Sequence, residues 1–201
     1  VAFARYLKTM GERVTVADMD IVNPYFRTKD SEEDFRREGI ELIVSEYANS
    51  NVDLPALPSA LYRVVERRDM CAVLDIGGDD RGAYALGRFA PYIREENNYE
   101  NLFVANMYRP LTKTPEEALA VMREIENAGG LPITAIVNNS NLGELTDAQT
   151  VLDSADYINR LSELSGLPVK FTAVREDIAE EIGGIEKGFL PLKLQKKIFE
   201  I

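Results

Sequence analysis

Apolar residues along this chain fall into short continuous runs, separated by longer stretches in which they recur every three or four positions. The runs are Val14–Ala17, Cys71–Leu74, Leu102–Ala105, Ile133–Val137 and Val169–Val174, with Leu42–Val44 as a weaker sixth. A strand that faces water on one side alternates apolar and polar residues. Runs without alternation predict strands covered on both faces.

The stretches between them have helical period. Phe3, Leu7 and Met10 form one stripe, and Gly11 follows as a stop. Pro55 and Pro58 precede a second helix with Leu61, Val64 and Val65 on its apolar side. Thr114 opens a third, where Pro115 suits the first turn and Glu117 completes a capping box. Its stripe is Ala118, Val121, Met122 and Ile125, ended by Gly129 and Gly130. A fourth is expected from Asp147 to Ser165 as one continuous element, with Val151, Ala155, Ile158 and Leu161 inward and Gly166 after it. Strand–helix alternation of this kind predicts an α/β fold, a mostly parallel sheet with right-handed crossovers and helices on both faces. No repeat, low-complexity tract or linker divides the chain, so one domain over residues 1–201 is expected.

Composition narrows the chemistry. The chain has no histidine, which removes Ser-His-Asp and Cys-His catalysis and leaves carboxylates, backbone amides, Lys and Arg. Its one cysteine, Cys71, lies within an apolar run and reads as a buried structural thiol. A net charge of −11 disfavours general binding to nucleic acid or anionic membrane, and the Lys193, Lys196 and Lys197 group reads as a solvated face. No run reaches the roughly 20 apolar residues of a membrane span, and no signal peptide is evident; a cytoplasmic protein is the expectation.

In open parallel sheets, ligands gather at the carboxyl ends of the strands. There the chain carries Asp18-Met19-Asp20, then Asp75-Ile76-Gly77-Gly78-Asp79-Asp80, then Asn138-Asn139-Ser140-Asn141. Asp75 either supports Mg²⁺ beside a phosphate chain or caps the following helix. Gly78 would let a backbone N–H approach a terminal phosphate. Asp20 either aligns an attacking water or caps a turn at Asn23-Pro24. Asn138 offers the donor and acceptor that suit a purine edge, and it is also an ordinary turn residue. The segment GGDDRGAYALG does not fit the dinucleotide pattern G-x-G-x-x-G.

Four segments taken in order, VAFARYLKTMGERVTVADMDIVNPYF, CAVLDIGGDDRGAYALG, TAIVNNSN and FTAVREDIAEEI, resemble the ParA/MinD/CobQ group of P-loop ATPases. The resemblance spans nearly the whole chain. It implies a P-loop NTPase-like fold that binds ATP and Mg²⁺. Within it, Asp20 would position the attacking water, Asp75 would support Mg²⁺ through water, and Gly78 would face the phosphates. Asn138 would contact adenine, with backbone near Ala173–Arg175 closing over the base. The group's phosphate-binding motif G-x-x-x-x-G-K-[ST] occurs nowhere in these residues, and the chain starts inside the helix that should follow it. It therefore reads as a fragment of a longer parent, lacking the first strand and the P-loop and itself inactive. The strand leading into that loop would lie beside Cys71–Asp75, so an open sheet edge is expected there.

The leading functional expectation is a slow Mg²⁺-dependent ATP hydrolase acting as a conformational switch, as a monomer or homodimer with a protein partner. A non-catalytic nucleotide-binding or assembly module is the first alternative. An ATP-dependent ligase or amidase-like enzyme of the same fold group is the second.

Overall fold

The computed structural model describes residues 1–20, 31–44, 59–184 and 188–194. Pro55, Pro58, Asn23, Pro24, Lys196 and Lys197, and the side chain of Val65, lie outside the described residues. The chain forms two compact units. One holds Val1–Asn98 with Ala128–Gly130, and the other holds Tyr99–Asn127 with Leu131–Leu194.

The first unit is built on a parallel sheet of order β2-β1-β3, with β1 at Val14–Asp18, β2 at Glu41–Val44 and β3 at Cys71–Asp75. All five residues of β1 are buried, as its unbroken apolar run predicts. Val14 and Val16 pack on one face with Ala4 of α1 (Ala2–Thr9) and Phe35 of α2 (Glu32–Glu38). Ala17, on the opposite face, packs with Leu61 of α3 (Ser59–Glu66) and with Phe89, beside α5 (Ala90–Glu96). Helices therefore cover both faces of this sheet. Met10 falls outside α1 and is 66% exposed, so the first stripe is shorter than its spacing predicts.

Between β3 and α5 lies α4 (Asp80–Gly87), the helix expected to follow Asp75. Asp79 caps it, accepting a 2.8 Å bond from the Gly82 N–H. Gly82 is required by contact: a Cβ there would lie 2.6 Å from Gly77 Cα. Among the described residues no strand pairs with the second edge of β3. Cys71, which opens that edge strand, is half-buried rather than buried.

The second unit carries a parallel sheet of order β4-β5-β6-β7. Its strands are β4 (Leu102–Ala105), β5 (Ala135–Asn138), β6 (Val169–Arg175) and β7 (Phe189–Leu192). Phe103, Ala105 and Ile136 pack with Ala118 and Met122 of α6 (Pro115–Gly129) and with Ile158 and Leu161 of α8 (Ala155–Ser165). The capping box at α6 forms in both directions: Glu117 N–H donates to Thr114 Oγ1 and Thr114 N–H to Glu117 Oε2.

The helix expected over Asp147–Ser165 is broken. Asp147 caps α7 (Ala148–Leu152), which stops before Ser154, and α8 begins after it. Ser154 is fully buried, and its hydroxyl donates back to Val151 O at 2.6 Å. Strand β5 starts at Ala135, because Thr134 N–H is drawn to Asn101 O just before the ladder begins. Strand β7 has no forerunner in the sequence reading, since Pro191 disguises it; it pairs with β6 as the last strand of the sheet. After β6 comes α9 (Glu176–Ile182), whose Ile178 and Ala179 pack on Val174 and Val151.

Candidate functional site

The parallel register of β1 and β3 sets Asp18 directly opposite Asp75. Met19 N–H donates to Asp75 O at 2.9 Å, which ties the two strands where both end. Asp18 is 5% exposed, and its Oδ1 accepts the backbone N–H of Asp20 at 3.1 Å. That bond turns the chain and brings the half-buried Asp20 towards the loop that follows β3. A Cβ on Gly77 would lie 3.0 Å from Asp20 Oδ1, so glycine at 77 is what lets that carboxylate sit against the loop.

The result is a group of carboxylates at the carboxyl ends of two adjacent strands: buried Asp18, half-buried Asp20 and exposed Asp75, with Asp79 next along the loop at the start of α4. Asp79, rather than Asp75, is the residue that caps the helix. At Gly78 an added Cβ would meet nothing within 4 Å, so the backbone there is open to approach. Oxygen donors of this kind suit a hard cation such as Mg²⁺, and open backbone beside them suits a phosphate. Among the described residues, no three Asp, Glu, Cys or His side chains are gathered closely enough to hold a metal ion by themselves.

Asn138 belongs to the second unit. It ends β5 opposite Ala105 and Thr172 and is 1% exposed. Its Nδ2 donates to Ser154 Oγ at 2.8 Å and to Thr172 Oγ1 at 3.5 Å, while its Oδ1 accepts Ser140 N–H at 3.1 Å. Each polar atom of this side chain is thus already used to hold β5, β6 and the α7–α8 break together. Asn138 and Thr172 line one wall of a cavity of about 250 Å³, otherwise mainly apolar, between α7, α8 and β6. The Ala173–Arg175 backbone runs within β6, in register with Leu190–Leu192 of β7.

Two polar residues escaped the sequence reading. Ser154 looked like one more position in a helical stretch. Tyr157 is buried, with its hydroxyl donating to Thr112 O at 2.9 Å, and burial pushes its pKa up to about 12. A single buried serine or tyrosine leaves no spacing signal, because its partner lies far away in sequence.

Compared with known proteins, the chain matches no family model and no curated protein sequence. Among the described residues, no helix is long and apolar enough to cross a membrane.

Proposed function

We propose that these residues form the nucleotide-switch part of a P-loop ATPase of the ParA/MinD/CobQ type, one that binds ATP with Mg²⁺ and hydrolyses it slowly. The observation that carries this reading is the pairing of Asp18 with Asp75 at matched strand ends, with Asp20 held against Gly77. Two adjacent strands ending together in carboxylates, followed by a glycine turn and a helix start, are what a water-aligning group and a magnesium-supporting group require at one phosphate. Among the described residues no strand lies on the second edge of β3, the edge where the resemblance puts the strand entering the phosphate loop.

In this reading Asp20 orients the attacking water by accepting its hydrogen bond, and Asp75 holds water molecules of the magnesium shell. The backbone N–H of Gly78 faces the terminal phosphate. Magnesium, when bound, neutralises charge on the phosphate oxygens. Adenine recognition by Asn138 requires its amide to release Thr172, the longer of its two donations.

The test is Mg²⁺-dependent ATP hydrolysis by these residues joined to a G-x-x-x-x-G-K-[ST] segment, with and without Asp20→Ala. The substitution should lower the hydrolysis rate while leaving ATP affinity nearly unchanged, because the interaction matters mainly in the transition state. Hydrolysis at the unsubstituted rate would remove Asp20 from the mechanism. Absence of ATP binding by the joined protein would remove the reading as a whole.

A further inference from the structure

Asp18 is a buried carboxylate to which the reaction proposed above gives no part. It is 5% exposed and ends β1, two residues before Asp20. Burying a carboxylate is costly, and hydrogen bonds to the charge offset that cost. One such bond is the 3.1 Å donation from Asp20 N–H to Asp18 Oδ1. A carboxylate that accepts the N–H two residues on closes a tight turn and removes freedom from the backbone between. The backbone of Asp20 is thereby fixed from behind.

Its side chain is confined from the front. Neither Gly77 nor Gly82 has a positive φ, so their own backbone does not call for glycine. Space does. An added Cβ at Gly77 would lie 3.0 Å from Asp20 Oδ1 and 3.3 Å from Gly82 Cα. One at Gly82 would lie 2.6 Å from Gly77 Cα. Asp20, Gly77 and the first turn of α4 are therefore stacked in series, with no room for a methyl group at either step. On the α4 side the neighbour is backbone, held by the 2.8 Å cap from Gly82 N–H to Asp79. On the other side it is the end of a side chain. A methyl group at position 77 would displace the Asp20 carboxylate, by a few tenths of an ångström.

We propose that Asp18 and Gly77 are positioning residues for Asp20. The Asp18 carboxylate holds the Asp20 backbone, and the bare Cα of Gly77 sets the depth at which the Asp20 carboxylate stands. This role rests on the reading of Asp20 as the group that aligns the attacking water. Such alignment is exacting, since a misplacement of about 1 Å can cost on the order of 10²-fold in rate.

Two measurements test the assignment, the first on the chain alone. Asp18→Ala should speed hydrogen exchange at the Asp20 amide at least about tenfold. Asp18→Asn keeps an acceptor oxygen and should restore most of that protection. Gly77→Ala should lower the urea midpoint, and lower it less in an Asp20→Ala background, where the crowded oxygen is gone. The second measurement is ATP hydrolysis by the protein joined to a G-x-x-x-x-G-K-[ST] segment. There Asp18→Ala and Gly77→Ala should each lower kcat about tenfold, with KM changed by less than about twofold. Asp18→Asn should recover most of the loss, and Gly77→Ala should slow an Asp20→Ala protein no further.

Unchanged exchange at Asp20 in Asp18→Ala, or additive effects of Gly77→Ala and Asp20→Ala on midpoint or rate, would overturn the positioning role. So would an Asp18→Asn protein as slow as Asp18→Ala with a raised Mg²⁺ requirement, which would make Asp18 a metal ligand. If Asp18→Ala does not fold, the Gly77→Ala cycle decides the outcome by the same criteria. A joined protein that binds no ATP would remove the hydrolytic reading itself. Hydrolysis that Asp20→Ala slows, but Asp18→Ala and Gly77→Ala do not, would remove this inference alone.

Discussion

The side-chain amide of Asn138 donates to Ser154 Oγ at 2.8 Å, across 16 positions of sequence, and both residues are at most 1% exposed. This contact joins the end of β5 to the point where the expected single helix breaks into α7 and α8. Ser154 passes its own proton on to Val151 O, so the amide of Asn138 is the donor that completes the hydroxyl's pairing. Removing either residue leaves a buried polar atom without its partner.

Asn138→Ala should therefore destabilise the protein by about 1–3 kcal/mol, the range for stranding buried donors and acceptors. Asn138→Asp should cost a similar amount or more, because a carboxylate cannot donate to Ser154 Oγ. Urea unfolding measures both, and wild-type stability in either variant would contradict the network. If Asn138 also meets adenine, Asn138→Ala should reduce the preference for ATP over GTP in the joined protein.

The glycines after β3 separate packing from function. Gly82→Ala should destabilise by roughly 2–4 kcal/mol, since its Cβ would lie 2.6 Å from backbone that cannot yield cheaply. Gly78→Ala should change stability by no more than about 0.5 kcal/mol, because nothing lies within 4 Å of its would-be Cβ. Under the proposed function, Gly78→Ala should still weaken ATP affinity by crowding the phosphate. Thermal melts and a nucleotide titration on the same preparations decide this. A stable Gly82→Ala protein would reject the contact, and unaltered ATP affinity in Gly78→Ala would reject the phosphate role.

Asp75→Ala in the joined protein should raise the Mg²⁺ concentration needed for half-maximal ATP binding while leaving the fold intact. Asp75 is exposed and Asp79 keeps the helix cap, so circular dichroism should be unaffected. Unchanged magnesium dependence would free Asp75 from the metal.

Tyr157 predicts an alkaline limit. Its folded pKa of about 12 lies above the ordinary tyrosine value of about 10, because burial disfavours the phenolate. The neutral form is thus favoured by folding. That stability is fully present below pH 10 and is lost progressively between pH 10 and 12, about 2–3 kcal/mol in all. Tyr157→Phe should be less stable at neutral pH, having lost the bond to Thr112 O, but its stability should fall less steeply above pH 10. Parallel slopes for the two proteins in alkaline urea titrations would count against this.

How much of this was legible beforehand depends on where each residue's partners lie. Val14–Ala17 read as a buried strand because the run is continuous, and the strand extends one residue further, to Asp18. The strand-end carboxylates Asp18, Asp20 and Asp75 were visible because a strand followed by acidic residues is a local pattern, although the register that opposes Asp18 to Asp75 is not. The helix after Asp75 was expected, but its bounds were not legible, because α4 holds Gly82 and Gly87, poor helix formers. The reason for Gly82 is the backbone of Gly77, which folding alone brings near. The α7–α8 break was illegible for the same kind of reason, since Ser154 owes its position to Asn138. Pro191 concealed β7 by its ordinary aversion to strands.

That proline has a bearing on solubility. Thr172 N–H donates to Gly188 O, so alternate residues of β7 face β6 and the others, Phe189 and Pro191, face outward. Phe189 N–H is already spent on Gly184 O, and Pro191 has no N–H to offer. An incoming strand finds carbonyl acceptors but neither of these donors along that border, so a ladder extended there would be short of bonds. Among the described residues, this border of β7 therefore disfavours intermolecular extension of the sheet.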